Sequence, residues 1–460
     1  MPPQRAKVIW TPPAPSVRSV QPGAVSGATR AILSAGVPRI ADAATPKDDA
    51  IGLLKLAAEV EHALLVQYLY AATSINPDAG PASKRARDTV TAIAIQEMGH
   101  LLCVQNLLLA LGGTSLHHLG RDGMRAASER NPLPLALEPI SHSALAKFVT
   151  VERPADIADK TLREVVERLG KEAEQSSGFS PHPVSALYLA IYWIFQPTDA
   201  PFGQLPLADP NLRRGWHLTP ADFARPDEID QFATGSAEWG GHPGLLVATV
   251  KDSASGCDAL FAIMAQGEGV PGDQESSHFE SFLDVLKAFE ANQVATFGLC
   301  RTPRVNDQPL SEDPHATVLT NPYADAWGRL FNVRYTHLVL SIGHACSLRV
   351  DDADRLALID AARLMMRPCL TVLMRLLGKL DADAPGGPKA GPPFGLLDDT
   401  LPSDAIGYWN RHRALFDDEA ASVAAIRARP EHATDAAGRL LLQQLAGADQ
   451  PLIDLVAAHP

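Results

Sequence analysis

Acidic residues lie in the middle of apolar helical stripes at four places in this 460-residue chain, and this pattern limits the folds open to it. Two of the acids belong to Glu-x-x-His steps, at residues 97–100 and 275–278, and the other two are Glu61 and Glu268. Burying an ionised carboxylate costs several kcal/mol unless it is paired or bound to a metal ion. Few Lys or Arg residues occupy these stripes, so bound cations are the simplest common compensation. Four inward carboxylates and two imidazoles on helical hairpins are what a helical bundle needs to hold two metal ions.

Helical phase separates these residues from a chance occurrence of the same motif. The segment 59–62 also reads Glu-x-x-His, and a chain of this length is expected to contain about one such step by chance. At about 100° per residue, Glu61 lies in the middle of an apolar face, whereas Glu59 lies nearly opposite and is predicted to be a solvated surface charge. The apolar residues that share a face with the other three acids are Val90, Ile93, Leu101 and Leu108 for Glu97, Phe261 and Met264 for Glu268, and Phe279, Phe282 and Leu286 for Glu275.

The heights of the acids along their helices can be compared as well. At 1.5 Å per residue, Glu61 and Glu97 both lie about 20 Å from the turn between their helices, so they face each other in an antiparallel hairpin. Glu268 and Glu275 flank the turn of a second hairpin. All four acids meet only if the second hairpin is displaced by about 20 Å relative to the first.

The rest of the chain is predicted to be mainly helical, because few stretches alternate with a period of two. We expect an extended N-terminal arm over 1–48, a metal-binding bundle over 49–300 with an irregular insertion at about 197–250, and a helical region over 301–460 packed on the bundle. Residues 114–157 contain four prolines and are predicted to be an extended connection with short elements. Helices are predicted at about 51–75, 84–111, 159–174, 184–195, 255–268, 275–293, 323–348, 354–380 and 403–427.

Composition narrows the class of protein and its partners. The net charge of −13, without a Lys/Arg cluster, argues against nucleic acid. The longest apolar run, residues 186–195, is about half the length that spans a bilayer, and no signal-peptide core is present, so a soluble protein is expected. Five widely spaced cysteines without a Cys-x-x-Cys step suggest neither a zinc knuckle nor a disulfide framework. A cytoplasmic location and buried, free thiols are predicted.

Several short segments resemble one known family, in the same order along the chain. They are EHALLVQYLY at 61–70, AIQEMGHLLCVQNLLLALGG at 94–113, FVTVERP at 148–154, AIMAQGEG at 262–269, SSHFESF at 276–282, FNVRY at 331–335 and AGPPF at 390–394. Together they resemble the ferritin-like domain of the iminophenyl-pyruvate dimer synthase family, which includes enzymes of the violacein and indolocarbazole pathways. The resemblance implies a ferritin-like four-helix bundle, elaborated here with extra helices and long loops.

The resemblance also implies a metal-binding role for particular residues, namely Glu61, Glu97, His100, Glu268 and His278. Family members often carry a glutamate in the buried third helix, where this chain has Ala186. If that glutamate is a ligand in relatives, the site here holds a single ion or is completed by water or by Glu275.

We therefore predict a site for one or two iron ions, with manganese as the alternative metal, because carboxylate and imidazole ligands suit these metals better than structural zinc. The predicted function is that of an oxidoreductase that activates dioxygen or peroxide to oxidise a small, amino-acid-derived molecule. Metal storage without turnover and a degenerate bundle for protein interaction are the alternatives, and a homo-oligomer is compatible with each. Tyr68 and Tyr188 are predicted to be packing residues rather than donors to the ligands. His337 and His344 are likewise predicted to pack rather than to bind metal.

Overall fold

The structure is a computed structural model of the chain, and it does not describe every residue. The described residues are 8–11, 36–121, 124, 132–154, 157, 159–178, 181–205, 207, 212–242, 244–268, 276–306, 313, 315–397 and 400–459. Within them the protein is mainly α-helical, as predicted, and its two sheets have two strands each.

Eight helices make up the N-terminal part of the protein, after a first pair of strands. The strands are β1 (Val8–Thr11) and β2 (Val37–Ile40), which pair antiparallel. The helices are α1 (Pro46–Ser74), α2 (Pro81–Gly112), α3 (His142–Val151), α4 (Lys160–Ser177), α5 (Val184–Phe195), α6 (Pro226–Phe232), α7 (Ser253–Glu268) and α8 (His278–Glu290).

The C-terminal part adds a short parallel strand pair and six further helices. They are β3 (Pro303–Arg304), β4 (Thr317–Val318), α9 (Pro322–Ser347), α10 (Ala353–Leu364), α11 (Thr371–Leu377), α12 (Ala405–Arg427), α13 (Pro430–Thr434) and α14 (Ala436–Ala457). A π-helical turn, Met365–Leu370, joins α10 to α11.

Local sequence signals set the ends of the first hairpin. Thr45 caps α1: its hydroxyl accepts a hydrogen bond from the backbone N–H of Asp48, and the Asp48 carboxylate accepts one from the N–H of Thr45. This reciprocal capping box satisfies two backbone donors at the helix start. A proline also opens α2, and Gly113, with φ 77°, follows its last residue. Both predicted helices are confirmed and are a few residues longer than the periodicity indicated.

Helix α3 was missed by the sequence prediction. It lies inside residues 114–157, which were expected to form an extended connection because of their prolines. The prolines in fact lie before and after the helix, at 132, 134 and 139 and at 154. Since proline is tolerated outside a helix but not in its interior, they bound α3 rather than break it. Ser141 caps its first turn by accepting from the N–H of Ala144.

Two further differences concern the C-terminal helices. The single helix predicted over 354–380 is divided, because Pro368 lacks the N–H that a continuous helix requires and interrupts it between α10 and α11. Helix α14 was not predicted; it carries two glycines and Pro451. The other predicted helices are confirmed to within a few residues, and α5 is buried on every face.

The buried apolar side chains form two large clusters with α1 between them. Most buried residues of α1 belong to the cluster of the N-terminal helices, but Val66 and Tyr70, on its other face, belong to the cluster of the C-terminal helices. The C-terminal helices therefore cover the face of α1 that was expected to be solvated. Glu59 is accordingly only 14% exposed and pairs with His118 at 3.0 Å, so its prediction as a solvated charge was wrong.

Helix α2 is, among the described helices, the one whose length and composition would suit a membrane span. In its most apolar 18-residue window, 78% of the residues are buried inside the protein. A helix in the core of a protein can have the same length and apolar composition as a membrane span. Helix α2 packs along α1 and against α8.

Candidate metal centre

Five buried side chains from four parts of the chain converge between the N-terminal helices. Glu61 comes from the middle of α1, Glu97 and His100 come from α2, Glu152 follows the last residue of α3, and His278 is the first residue of α8. Their exposed fractions are between 1% and 5%. They form two overlapping groups, Glu61–Glu97–His100 and Glu97–Glu152–His278, and within each group the potential ligand atoms lie within 4.8 Å of one another.

Glu97 belongs to both groups and divides the centre into two half-sites. Its Oε2 lies 2.9 Å from Nδ1 of His100, and its Oε1 lies 3.1 Å from Nδ1 of His278. In the first half-site, Nδ1 of His100 is 3.3 Å from Oε2 of Glu61. In the second, Nδ1 of His278 is 3.6 Å from Oε2 of Glu152. One carboxylate with an oxygen in each half-site is suited to bridge two cations.

A glutamine contacts Nε2 of each histidine, the ring nitrogen that faces away from the carboxylates. Nε2 of His100 lies 2.9 Å from Oε1 of Gln266, and Nε2 of His278 lies 3.0 Å from Oε1 of Gln96. Since an amide oxygen only accepts, Nε2 of each ring carries the hydrogen. Nδ1 of each ring faces the carboxylates, and once a metal ion displaced its hydrogen, it would have the arrangement of a metal-binding histidine that is oriented by an outer partner.

Residues 244–248, in the predicted irregular stretch, support these glutamines and lie along α2. The carbonyl of Gly244 accepts a hydrogen bond from Nε2 of Gln266 at 3.4 Å, and a Cβ added at Gly244 would lie 3.3 Å from Cγ of Gln96. At Gly99, between the ligands Glu97 and His100, a Cβ would lie 2.7 Å from the carbonyl oxygen of Leu246. The glycine in this Glu-x-x-His step thus permits close packing of the segment on the helix.

Two tyrosines hold the outer carboxylates of the centre. The hydroxyl of Tyr188 donates to Oε1 of Glu61, and that of Tyr68 donates to Oε1 of Glu152, each at 2.5 Å. Each bond leaves the other oxygen, Oε2, facing a histidine. The prediction that both tyrosines merely pack was wrong. Burial first, and then the neighbouring carboxylates, raise both phenol pKa values well above the ordinary value, so the hydroxyls remain donors.

The electrostatics of the centre show a deficit of positive charge. Burial, and then the proximity of Glu97, raise the pKa of Glu61 to about 8 and also raise the pKa of Glu152. Burial alone would raise the pKa of Glu97 too, but the imidazoles of His278 and His100 outweigh it and hold that pKa below its ordinary value.

In the two histidines, burial and the neighbouring carboxylates shift the pKa in opposite directions. Burial would lower their pKa values, but the carboxylates outweigh it, raising the pKa of His278 to about 9 and that of His100 well above its usual range. Near neutral pH, protons therefore supply the positive charge that the buried carboxylates need. A bound metal cation would replace those protons.

Several ligand atoms have no hydrogen-bond partner, although they are buried. They are Oε2 of Glu61, Oε1 of Glu97 and Nδ1 of His278. Buried polar atoms are nearly always hydrogen-bonded, so unpartnered ones require an explanation. All three point to the same explanation, because each is an atom that would bind a cation in one of the half-sites. The oxygen and nitrogen donors suit iron or manganese, so the residues fit such a metal.

The structure brings together four of the six predicted metal ligands: Glu61, Glu97, His100 and His278. Glu268 is the last residue of α7, but its side chain is not described, and Glu275 lies outside the described residues. Both stay predictions. For Glu268, the backbone of its neighbour Gly267 lies beside the centre, since a Cβ there would be 3.4 Å from Oε2 of Glu152.

Glu152 is a candidate ligand that the sequence analysis missed. It lies at the end of α3 and not on α5, the helix in which the family resemblance implied a glutamate. A signal was available: at three, four and seven residues before Glu152 stand Val149, Phe148 and Leu145, an apolar helical face like those of the other acids. The prolines around the segment predicted an extended connection instead of a helix.

A small cavity adjoins the carboxylates. Its volume is about 20 Å³, enough for roughly one water molecule. Besides Glu61, Glu97, His100 and Glu152, it is lined by Leu64, Val151, Val184, Ser185, Tyr188, Ile263, Met264 and Gly267.

The fold and this pair of half-sites define a ferritin-like helical protein with a carboxylate–histidine centre. The family model for ferritin-like proteins matches residues 54–287, from the middle of α1 to α8, and the chain belongs to this family. No solved structure matches the chain significantly.

Among curated proteins, the chain is similar to 2-imino-3-(indol-3-yl)propanoate dimerase from Chromobacterium violaceum. The two are 26% identical over 379 residues, which is 74% of this chain and 33% of that protein. The chain therefore spans about a third of the length of this relative. The match agrees with the resemblance to the iminophenyl-pyruvate dimer synthase family.

Proposed function

We propose that the protein is a non-haem iron oxidoreductase that oxidises a small organic acid. The observation that carries the proposal is the shared Glu97, which presents one oxygen to each of two half-sites built from the same ligand types. Two ions on one bridging carboxylate suit redox chemistry better than a structural role. When bound, iron would supply the capacity to activate dioxygen or peroxide.

The protein's own residues would prepare the centre for that chemistry. Glu61, Glu97 and Glu152 would stabilise oxidised iron by their negative charge. Tyr188 and Tyr68 each occupy one oxygen of an outer carboxylate and so favour binding through the other. The apolar side chains around the cavity would exclude bulk water from the reacting molecules.

The substrate class is proposed from the similar protein. Its name describes an enzyme that acts on an imino acid with an indole side chain. We propose an amino-acid-derived imino or oxo acid for this chain as well. The residues around 197–250 support the glutamines behind the histidines, and we propose that they and the C-terminal helices form the substrate pocket.

We also propose what the protein binds and where in the cell it is located. A small molecule is the proposed partner, rather than nucleic acid or a membrane, in keeping with the net charge of −13. A cytoplasmic location is supported by five cysteines that are all free and buried.

Elemental analysis combined with activity assays tests the proposal. The protein is loaded anaerobically with ferrous iron, desalted and analysed, and about two iron ions per chain are expected. It is then exposed to dioxygen with a panel of amino-acid-derived imino and oxo acids, and an oxidised organic product is expected. Protein that binds no iron would refute the proposal, and iron that reacts with dioxygen without an organic product would favour storage.

A matched pair of variants on α1 controls for unspecific binding. Glu61→Gln removes a predicted ligand, and Glu59→Gln changes the same residue type on the opposite face, where it contacts His118 instead. We expect iron loss only in the first variant. Equal iron content in both would show that the metal lies elsewhere.

A further inference from the structure

Ser185 has a buried hydroxyl with no partner, beside the metal centre. It is the second residue of α5, its side chain lines the small cavity, and only 3% of the residue is exposed. Its Oγ makes no hydrogen bond in the structure. Because Ser185 is the second residue of its helix, no carbonyl of an earlier helical turn is available to accept from its hydroxyl. Because burying an unpaired hydroxyl is unfavourable, the group requires an explanation.

Among the side chains that line the cavity, Ser185 has the hydrogen-bond donor that is still available to a ligand. Tyr188 already donates to Glu61, and both ring nitrogens of His100 are engaged, one with Gln266 and one with carboxylates. The carboxylates are acceptors once they bind metal. The remaining lining side chains are apolar, namely Leu64, Val151, Val184, Ile263 and Met264, and Gly267 has no side chain.

The position of Ser185 on its helix is fixed by its neighbours. It lies three residues before Tyr188, so both residues occupy the same face of α5, and Tyr188 is bonded to the ligand Glu61. Every residue of α5 is buried, so packing holds the helix in place. The hydroxyl is therefore held next to the carboxylates.

We propose that Ser185 donates a hydrogen bond to a small exogenous ligand that binds in this cavity beside the metal ions. The ligand class is a diatomic molecule or small anion with lone pairs, because the space next to the carboxylates, about 20 Å³, suits a ligand about the size of a water molecule. In the resting protein, water would take the same place. The inference rests on the proposed function, since the ligand requires a metal-loaded centre.

Azide binding to the ferric protein tests this role without measuring turnover. The iron-loaded protein is oxidised and titrated with azide, and the azide-to-iron charge-transfer absorption gives the dissociation constant. Ser185→Ala is expected to retain its iron and to bind azide about threefold to tenfold more weakly, the effect of losing one hydrogen bond. Ser185→Cys, with a similar volume and a weaker donor, should also weaken binding and serves if the alanine variant does not fold.

Ser341→Ala is the matched control, because it removes another buried serine hydroxyl, on α9, where that hydroxyl donates to the carbonyl of His337. Its azide affinity should stay within about twofold of the wild-type value. Ser185 variants that bind azide as the wild type does, or that lose their iron, would overturn the inference while leaving the proposed function standing. Wild-type protein that binds no iron would instead refute the proposed function itself.

Discussion

The protein contains two buried clusters of acids and imidazoles, and different groups compensate the negative charges in each cluster. The candidate metal centre joins three carboxylates and two histidines. The C-terminal cluster, between α9, α12 and α14, joins the histidines 337, 344 and 412 with Glu419, Arg334 and Asp449. In the candidate metal centre the groups facing the carboxylates are imidazoles and phenols.

The C-terminal cluster carries its own permanent cation. Arg334, 2% exposed, contacts Glu419 at 3.1 Å and Asp449 at 2.5 Å. The histidines bond in series: Nδ1 of His337 contacts Glu419, its Nε2 contacts His412, and Nε2 of His412 contacts His344. His337 and His344 belong to neither of the two groups of described residues that could hold a metal ion. The buried acids of the C-terminal cluster are thus compensated by an arginine, whereas those of the candidate metal centre face imidazoles.

The largest expected effect is that of Glu97→Gln on metal binding. Because Glu97 serves both half-sites, its loss should reduce the iron content from about two ions per chain to nearly none. The affinity should fall by more than the 10–100-fold typical of outer partners. Metal analysis after desalting measures the effect. Retention of one tightly bound ion would contradict the shared role of Glu97.

The reciprocal change, Glu419→Gln, should alter stability instead of metal content. It leaves Arg334 with Asp449 as its remaining charged partner, and weakening a buried ion pair in this way should cost about 3 kcal/mol. Urea denaturation of the metal-free protein measures this loss. The iron content should equal that of the wild type, and a variant that loses iron would break the distinction between the two clusters.

The next prediction concerns the metal affinities of the two half-sites, which should change independently. Gln266→Ala should weaken iron binding in the half-site of His100, and Gln96→Ala should do so in the half-site of His278, each by about 10–100-fold. A metal titration should then show one tight and one weak ion in either variant. Gln105→Ala is a control on α2, since Gln105 contacts the backbone at Leu101 and His118. Equal weakening of both ions would mean that the half-sites are not separable.

The smallest expected effect, when taken for each pH unit, is the pH dependence of metal binding. The pKa of Glu61 is raised to about 8, so below that pH the metal-free centre holds a proton that the metal must displace. Between pH 6 and 8 the affinity should therefore increase with pH, by at least about tenfold per unit. Metal titrations of the wild-type protein at several pH values test this. An affinity independent of pH would contradict the proton-filled centre.

The example of α3 shows how a wrong local prediction hid a site residue. The acids on α1 and α2, and His278 at the start of α8, could be found because apolar residues recur around them with helical periodicity. Glu152 has the same kind of neighbours, but the prolines around α3 suggested an extended segment. The glutamines could not be found in this way, because a glutamine on a helix carries no signal of what its amide will contact.

The sequence by itself determined that the chain is helical and that Glu61, Glu97 and His100 lie on apolar faces of two adjacent helices. It did so because helical periodicity and the cost of burying charge are both properties of nearby residues. Only the tertiary structure decided that Glu152 joins them, that Glu97 serves two half-sites, and that separate parts of the chain hold the histidines and outer carboxylates. Those relations depend on how distant helices pack, and packing is set by the whole core rather than by any one segment.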